Sequence, residues 1–383
     1  MQSNHPVILP GREQRPTYVE VDLSVLSENL AAIRKKIAPA KVMAVIKANA
    51  YGHGMVEVAQ HLEAHADYFA VAVLEEGLLL RRVGIRKPIL VLGGILEAQI
   101  PEFIRNDLTL TASSVDNLLQ IERAAARLQR KATVHLKIDT GMERIGVHYY
   151  EAQSLQEAAL RCKNINVEGI YSHFANADAA DLSHARLQLA RFEEVLTFYE
   201  KNALPMPKYR HIANSGAILQ LPEATFDMVR AGIMLYGVYP SGEAKRTVAV
   251  VPALSWYSKV VYFKTIRPAH PVSYGSTWES GVPTRVATLP VGYGDGYFRA
   301  MSNKAEVIVR GTRVPQVGRI CMDQMVVNLG ETGVAAAGDE VVLLGEQGGQ
   351  RITTEDLARW AGTIPYEVLT NINTRVPRVY KKH

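Results

Sequence analysis

Cysteine is almost absent from this chain: Cys162 and Cys321 are the only two in 383 residues. So far apart in sequence, they give no disulfide framework and point to a cytoplasmic protein. Metal-ligand spacing is missing as well. The 11 histidines include no HExxH or clustered pair that would make a zinc site, so no metal is expected. No apolar run approaches the roughly 20 residues that span a bilayer, which excludes a membrane-spanning segment. Lys and Arg exceed Asp and Glu to give a net charge of +5, yet the basic residues are scattered. The basic clusters are short, the tail Lys381-Lys382-His383 among them, and no basic stripe interleaves with aromatics, so nucleic acid is not an expected partner. The surplus charge suits a small anionic ligand instead. Met1 to Pro16 is polar and proline-bearing, without an apolar core or a small-residue cleavage site, and reads as a disordered leader rather than a signal peptide.

What is present is an ordinary globular composition, 48% hydrophobic and 21% charged, long enough for two domains. Apolar runs recur as strand candidates at Val42–Lys47, Tyr68–Val73, Pro88–Leu92, Leu108–Thr111, Thr133–Ile138, Val167–His173, Tyr209–Ala213 and Met228–Leu235. Between them lie stretches of helical period, including Leu23–Ile37, Val115–Leu128, Tyr150–Arg161 and Ala185–Tyr199. Eight strands alternating with helices fit an N-terminal (β/α)8 TIM-type barrel, placed at residues 17–245, better than an open doubly wound sheet, which stays open as an alternative. No GxGxxG follows the first strand, so the main signature of a dinucleotide fold is missing. After the linker Tyr239–Arg246 the pattern turns to alternating β-branched segments: Leu254–Ile266, Arg285–Val291, Ala305–Val309, Arg313–Val317, Gln324–Leu329 and Glu340–Leu344. These read as a C-terminal mostly-β domain, residues 246–383, interrupted by a short helix at Thr353–Ala361 with Thr353 or Thr354 as its N-cap.

The segment Ala44-Val45-Ile46-Lys47-Ala48-Asn49-Ala50-Tyr51-Gly52-His53-Gly54 ends an apolar run in a lysine. Lys47 then lies at the carboxyl end of a barrel strand, where such enzymes present their chemistry. Two readings are open from spacing alone: Lys47 extends its ammonium into water, or it loses its proton in a partly apolar pocket and attacks a carbonyl. Other strand ends are polar too. His173 follows Ile170-Tyr171-Ser172, Asn214-Ser215-Gly216 follows Ile212-Ala213, and Arg230-Ala231-Gly232 interrupts the eighth strand. Their convergence on one barrel mouth favours a shared site. Ser215-Gly216 and Gly232-Ile233 sit after the seventh and eighth strands, where barrels bind phosphate through backbone N–H groups.

Lys47-Ala-Asn-Ala-Tyr-Gly-His-Gly54 resembles the pyridoxal-phosphate lysine motif of the alanine racemase family. So do Lys137-Ile-Asp-Thr-Gly-Met-Glu-Arg144, Ser172-His-Phe-Ala-Asn-Ala-Asp178, Asn214-Ser-Gly-Ala217, Met228-Val-Arg-Ala-Gly-Ile-Met-Leu-Tyr-Gly237, Val272-Ser-Tyr-Gly-Ser-Thr277, Gly292-Tyr-Gly-Asp-Gly296, Val317-Gly-Arg-Ile-Cys-Met-Asp-Gln324 and Pro365-Tyr-Glu-Val368, in family order. The resemblance implies that Lys47 holds pyridoxal 5'-phosphate as a Schiff base and is one of two catalytic bases. Tyr274 would be the other, offered from the partner subunit of a homodimer with shared sites. Two bases on opposite faces are what inversion at an α-carbon needs. An unperturbed tyrosine has a pKa near 10, so the resemblance assigns His173, in contact with Arg230, to tuning Tyr274. Arg230 would face the pyridine nitrogen and disfavour its protonation, limiting transamination; an ordinary buried ion pair is the other account of it.

By the same resemblance Tyr51, Ser215, Gly232, Ile233 and Tyr366 bind the phosphate. Arg144 and the Met322 amide take the substrate carboxylate, Tyr293 lines the entrance beside Asp323, and Lys137 is a position that can be carbamylated to orient Arg144. Arg299 and Asp178 resemble the outer gate. Two features depart from the pattern: Glu143 stands where family members commonly have Gly, and Ser276-Thr-Trp-Glu279 follows Tyr274. The implied activity is interconversion of L- and D-alanine for peptidoglycan precursors. Its rivals are a serine or broad-specificity racemase, a decarboxylase of the same architecture, and a non-catalytic pyridoxal-phosphate carrier.

Overall fold

The computed structural model describes residues 15–382; apart from Arg15 and Pro16, the stretch read as a leader lies outside the described residues. The described chain divides into two compact units. One runs over 26–50 and 54–251; the other takes 252–382 together with the residues up to Val25 and Tyr51–His53.

In the first unit all eight expected strands form: β1 (Lys41–Val45), β2 (Tyr68–Val71), β3 (Ile89–Val91), β4 (Leu110–Ala112), β5 (Ala132–Asp139), β6 (Ile165–Tyr171), β7 (Tyr209–His211) and β8 (Met228–Ala231). Parallel pairing runs β8–β1–β2–β3 and β4–β5–β6–β7. A parallel bridge at Leu90 and Thr109 joins β3 to the start of β4. Backbone bonds from Asp227 to Arg210 and from Arg230 to Ala213 join β8 to β7. The sheet therefore closes into a ring of eight, and the open-sheet alternative falls. Strands covered on both faces need apolar side chains throughout, and Tyr68, Phe69, Ala70 and Val71 are all buried. The outer helices bury one stripe each: Leu118, Ile121 and Ala125 in Val115–Leu128, and Ala185, Leu189, Phe192, Val195, Leu196 and Tyr199 in Ser183–Lys201. That spacing is the helical period.

Six of the eight strands end earlier than the apolar runs suggest, the first and the last among them. The first stops at Val45, two residues before Lys47, and the last stops at Ala231, after which Ile233–Tyr236 is a 3-10 turn. Apolar runs mark burial, not strand length.

The second unit is a β-sheet in the order Tyr262–Ile266, Thr284–Leu289, Met325–Gly330, Thr312–Val317, Glu306–Val309, Glu340–Gln347, Leu254–Lys259, Tyr18–Asp22, Arg378–Lys381. The run Leu254–Ile266 is two strands rather than one, broken at Val260-Val261. Thr353 caps the helix Thr354–Ala361, its hydroxyl accepting from the Asp356 N–H while Asp356 accepts the Thr353 N–H. Tyr18–Asp22 corrects the sequence boundary at residue 17. That boundary counted the segment with the barrel, but it pairs antiparallel with Leu254–Lys259 and parallel with Arg378–Lys381. No helix among the described residues is long and apolar enough to cross a membrane.

Candidate active site

Lys47 follows β1 and opens a turn of unusual hand. Ala48, Asn49, Ala50 and Tyr51 all have φ between 51° and 54°, a left-handed stretch that costs roughly 1–2 kcal/mol per non-glycine residue. Local bonds hold it in place. The Ala48 N–H donates to Glu76 Oε1 at 2.6 Å, the Ala50 N–H to the Ile46 carbonyl at 2.9 Å, and the Met55 N–H to Asn49 Oδ1 at 2.9 Å. The half-buried Lys47 amine is pulled below its usual pKa by burial first and then by the positive charges of Arg144 and Arg230, with Glu76 opposing. This is the desolvated amine that carbonyl attack requires.

Arg230, on β8, is buried. Its Nη1 donates to His211 Nδ1 at 2.7 Å and to the His211 carbonyl at 3.3 Å. Its Nη2 donates to the carbonyls of Ser172 at 2.8 Å and Ile212 at 2.9 Å and to His173 Nδ1 at 3.0 Å. Nε takes part in none of these bonds. Among the described residues Arg230 has no carboxylate partner, so the ion-pair account of it falls. Burial lowers its pKa to about 10, with Tyr171 opposing and Arg144 adding, which still leaves it charged at neutral pH. His173 is held neutral, well below the usual imidazole value, by burial and by the charges of Arg230, Lys137, Arg144 and Lys47.

Lys137, on β5, is buried, with Nζ donating to the Ile138 carbonyl at 2.8 Å and lying 5.2 Å from the centre of the Tyr171 ring. Burial, then Arg230 and Arg144 against Asp139, bring its pKa to about 7. Arg144 is carried on a loop built on Asp139. Oδ1 accepts the N–H groups of Gly141, Met142 and Glu143 at 2.8, 2.9 and 3.2 Å, and Oδ2 accepts that of Arg144 at 3.1 Å. Sequence reasoning did not single out Asp139. Its signal was available, since Thr133, His135, Lys137 and Asp139 form a polar stripe of period two along an otherwise buried strand. Glu143 has φ 54°, which explains why glycine suits that position; its carboxylate faces His148 at 3.7 Å.

Ser215 begins the helix Ser215–Gln220, capped by Asn214 Oδ1 accepting the Ala217 N–H at 3.1 Å. The Ser215 hydroxyl accepts the N–H of Gly232 at 3.1 Å and that of Met234 at 3.4 Å, which ties it to the turn at Ile233. A side chain at Gly216 would meet the Ala177 carbonyl at 2.7 Å. The barrel unit thus gathers Lys47, Lys137, Arg144, His173 and Arg230 by mutual electrostatics, and Ser215, Gly232 and Ile233 by hydrogen bonds.

The second unit gathers the remaining expected residues in two groups. Tyr274 follows Ser273, whose hydroxyl donates to the Arg319 carbonyl at 2.6 Å. The Cys321 and Met322 carbonyls accept from Tyr293 at 3.0 Å and Gly294 at 2.9 Å. Tyr274, Tyr293, Met322 and Asp323 are therefore carried on adjoining loops. Asp295, buried beneath them, pairs with Arg15 and with Arg375, and Arg375 reaches Asp323 at 2.8 Å. Tyr274 is 72% exposed and Met322 53%. The other group pairs Tyr51 with Tyr366, ring centres 6.2 Å apart. Beside them Gly52, at φ 83°, lies against the Leu369 carbonyl, which a Cβ would meet at 2.1 Å. Arg299 and Asp178 are on the surface side of their own units, Arg299 exposed and Asp178 half-buried.

Comparison with known proteins divides the chain near the same point, between residues 240 and 253. Residues 21–240 match the family model for the alanine racemase N-terminal domain, and residues 253–380 that for its C-terminal domain. The alanine racemase of Carboxydothermus hydrogenoformans is 46% identical over 368 residues, 96% of this chain and 100% of that protein. Among solved structures, an alanine racemase from a D-cycloserine-producing Streptomyces lavendulae superposes with TM-score 0.91 at 39% identity, covering 96% and 97% of the two chains. That of Bartonella henselae with covalently bound pyridoxal phosphate superposes with TM-score 0.87 at 30% identity, over 96% and 99%. With both domain models matched across nearly all of its length, this chain belongs to the alanine racemase family.

Proposed function

We propose that this protein interconverts L- and D-alanine with pyridoxal phosphate, supplying D-alanine for peptidoglycan precursors in the cytoplasm, where its two free cysteines stay reduced. The observation that carries the reading is the pairing of a lowered-pKa lysine at a strand end with an arginine whose Nη groups are committed and whose Nε is not.

The residues suit the cofactor. Lys47 supplies the amine that links to it. The mouth is rich in cations, with the Ile233 N–H and the Ser215 hydroxyl for its phosphate and the Gly232 N–H, which now donates to Ser215, turning to it; the same role is proposed for Tyr51 and Tyr366. Arg230 Nε offers a donor to its ring nitrogen. Pyridoxal phosphate, when bound, supplies an electron sink that acidifies the α C–H of an amino acid. Everything else falls to side chains. Arg144, fixed by Asp139, receives the substrate carboxylate through its planar fork, with the Met322 amide as its counterpart and Tyr293 at the entrance. Lys47 Nζ takes or returns the proton on one face of the α-carbon and Tyr274 Oη on the other. His173, kept neutral, is the group assigned to tune Tyr274.

The exposure of Tyr274 favours a homodimer in which each copy offers this residue to the other's barrel. The test of the whole reading is proton NMR in D₂O with pyridoxal phosphate and L-alanine, L-serine, L-lysine or L-arginine, followed by chiral separation. Exchange with inversion fastest for alanine is expected; cofactor uptake without exchange would leave only the carrier reading. Sedimentation at working concentration should show dimers, and fully active monomers would exclude the shared site.

A further inference from the structure

Behind Arg230, away from its Nε, the interior of the barrel holds a directed chain of polar groups. Arg230 Nη1 meets His211 Nδ1 at 2.7 Å. An arginine only donates, so His211 Nδ1 accepts and its proton sits on Nε2. That nitrogen lies 2.8 Å from His135 Nδ1, which must accept in turn, leaving the second proton on His135 Nε2. The buried Nε2 has no hydrogen-bond partner; it faces Glu168 Oε2 at 3.6 Å, a charge–dipole contact rather than a formed hydrogen bond. Glu168 also accepts from the Tyr68 hydroxyl at 3.0 Å and pairs with Lys208 at 3.6 Å.

The surroundings are shaped for this chain. Gly169 lies against the His135 ring, and a Cβ there would stand 2.8 Å from it. The Tyr171 ring stacks on His211 at 4.8 Å and 3°, and its hydroxyl is held by Thr111 at 2.8 Å. His135 and His211 are fully buried and kept neutral chiefly by burial. Two neutral imidazoles in series between a guanidinium and a carboxylate relay polarisation through aligned donors.

We propose that Glu168 is a remote positioning residue for Arg230. Its charge, facing the His135 Nε2–H, reinforces the tautomers that Arg230 sets and, through His135 and His211, makes His211 Nδ1 a stronger acceptor that holds the guanidinium in place toward the cofactor's ring nitrogen. The consequence for rate rests on the racemase reading; the tautomers do not, so the two can fail separately.

The experiment is ¹⁵N NMR of the histidine rings in the unaltered holoenzyme and in Glu168→Gln and Glu168→Asp, with alanine kinetics and thermal melting on the same samples. In the unaltered protein both His135 and His211 should carry their proton on Nε2; a proton on His211 Nδ1 overturns the proposal without any variant. In Glu168→Gln, isosteric but uncharged, the ring-nitrogen resonances of His211 should move although it does not touch residue 168. The kcat should fall roughly tenfold, as for other outer-shell partners, with KM held within about twofold. Glu168→Asp should recover part of both. A lower melting temperature with His211 and kcat unchanged would reduce Glu168 to a structural residue and refute the proposal.

Discussion

The guanidinium of Arg230 donates from Nη2 to Nδ1 of His173 across 3.0 Å, and this one bond decides the state of both residues. His173 must accept at Nδ1, so its proton lies on Nε2, where it can only donate. A second positive charge beside Arg230 is disfavoured, in line with the lowered imidazole pKa. Arg230 satisfies three carbonyls and two imidazole nitrogens, more than the three donors of a lysine can cover. Arg230→Lys should therefore lose about 2–3 kcal/mol of stability through unpaired acceptors, read as a lower midpoint in urea, and should lower kcat. Arg230→Glu places a carboxylate opposite the expected ring nitrogen, and should raise conversion of the cofactor to its amine form per turnover, measured by absorbance.

Asp139 organises the substrate side by accepting four backbone N–H groups. Burial alone would raise its carboxyl pKa, but the donations from Gly141, Glu143 and Arg144 and the nearby Lys137 outweigh it and hold it low. The folded protein then binds fewer protons here than the unfolded chain, whose carboxyl titrates near 3.9. The stability Asp139 contributes is fully present above that value and is lost as pH falls through its lower folded value. Asp139→Ala should cost about 2–3 kcal/mol and flatten the acid limb of a melting-temperature profile. Because Arg144 loses its anchor, KM for alanine should rise more than kcat falls.

How much of this was legible depended on whether the signal was local. The eight barrel strands were visible because each is a buried apolar run, and Lys47 because it ends one. Tyr18–Asp22 was missed because its partners, Leu254–Lys259 and Arg378–Lys381, lie more than 200 residues away and its own five residues look like the lead-in to the following helix. The left-handed turn at Ala48–Tyr51 is invisible to propensity, since alanine disfavours that conformation and the hydrogen bonds that impose it come partly from Glu76. Arg230 and His173 were found through their motifs. His211 and His135 were passed over because each sits inside a strand segment read only for its apolar neighbours.

Glu143 separates a backbone effect from a specificity effect. Its φ of 54° is one that glycine adopts freely, so Glu143→Gly should stabilise the protein by about 0.5–1 kcal/mol, the strain relieved less the added freedom of the unfolded chain. Its exposed carboxylate turns to His148, so the ratio of alanine to arginine turnover should stay the same. A selective gain for arginine or lysine in the variant would instead assign the carboxylate to screening cationic side chains, and would reopen the broad-specificity reading.

Lys137 makes the sharpest pH prediction. Its folded pKa is about 7 against roughly 10.4 in the unfolded chain, so between those values the unfolded state binds more protons and this group makes stability rise with pH. Below about pH 7 both states are charged and the burial penalty is constant. An amine half-neutral near neutrality, facing Arg144 and Arg230 with Asp139 as the nearby anion, gains most by becoming an anion itself, which carbamylation by carbon dioxide would achieve. With ¹³C-bicarbonate the protein should show a bound carbamate resonance that Lys137→Ala lacks. In carbon-dioxide-free buffer, where the amine is unmodified, Lys137→Met should remove the rise in stability between pH 7 and 10, and in bicarbonate it should raise KM for alanine. If the resonance persists in Lys137→Ala, the modified amine lies elsewhere, and Arg144 is then oriented by its Asp139 loop alone.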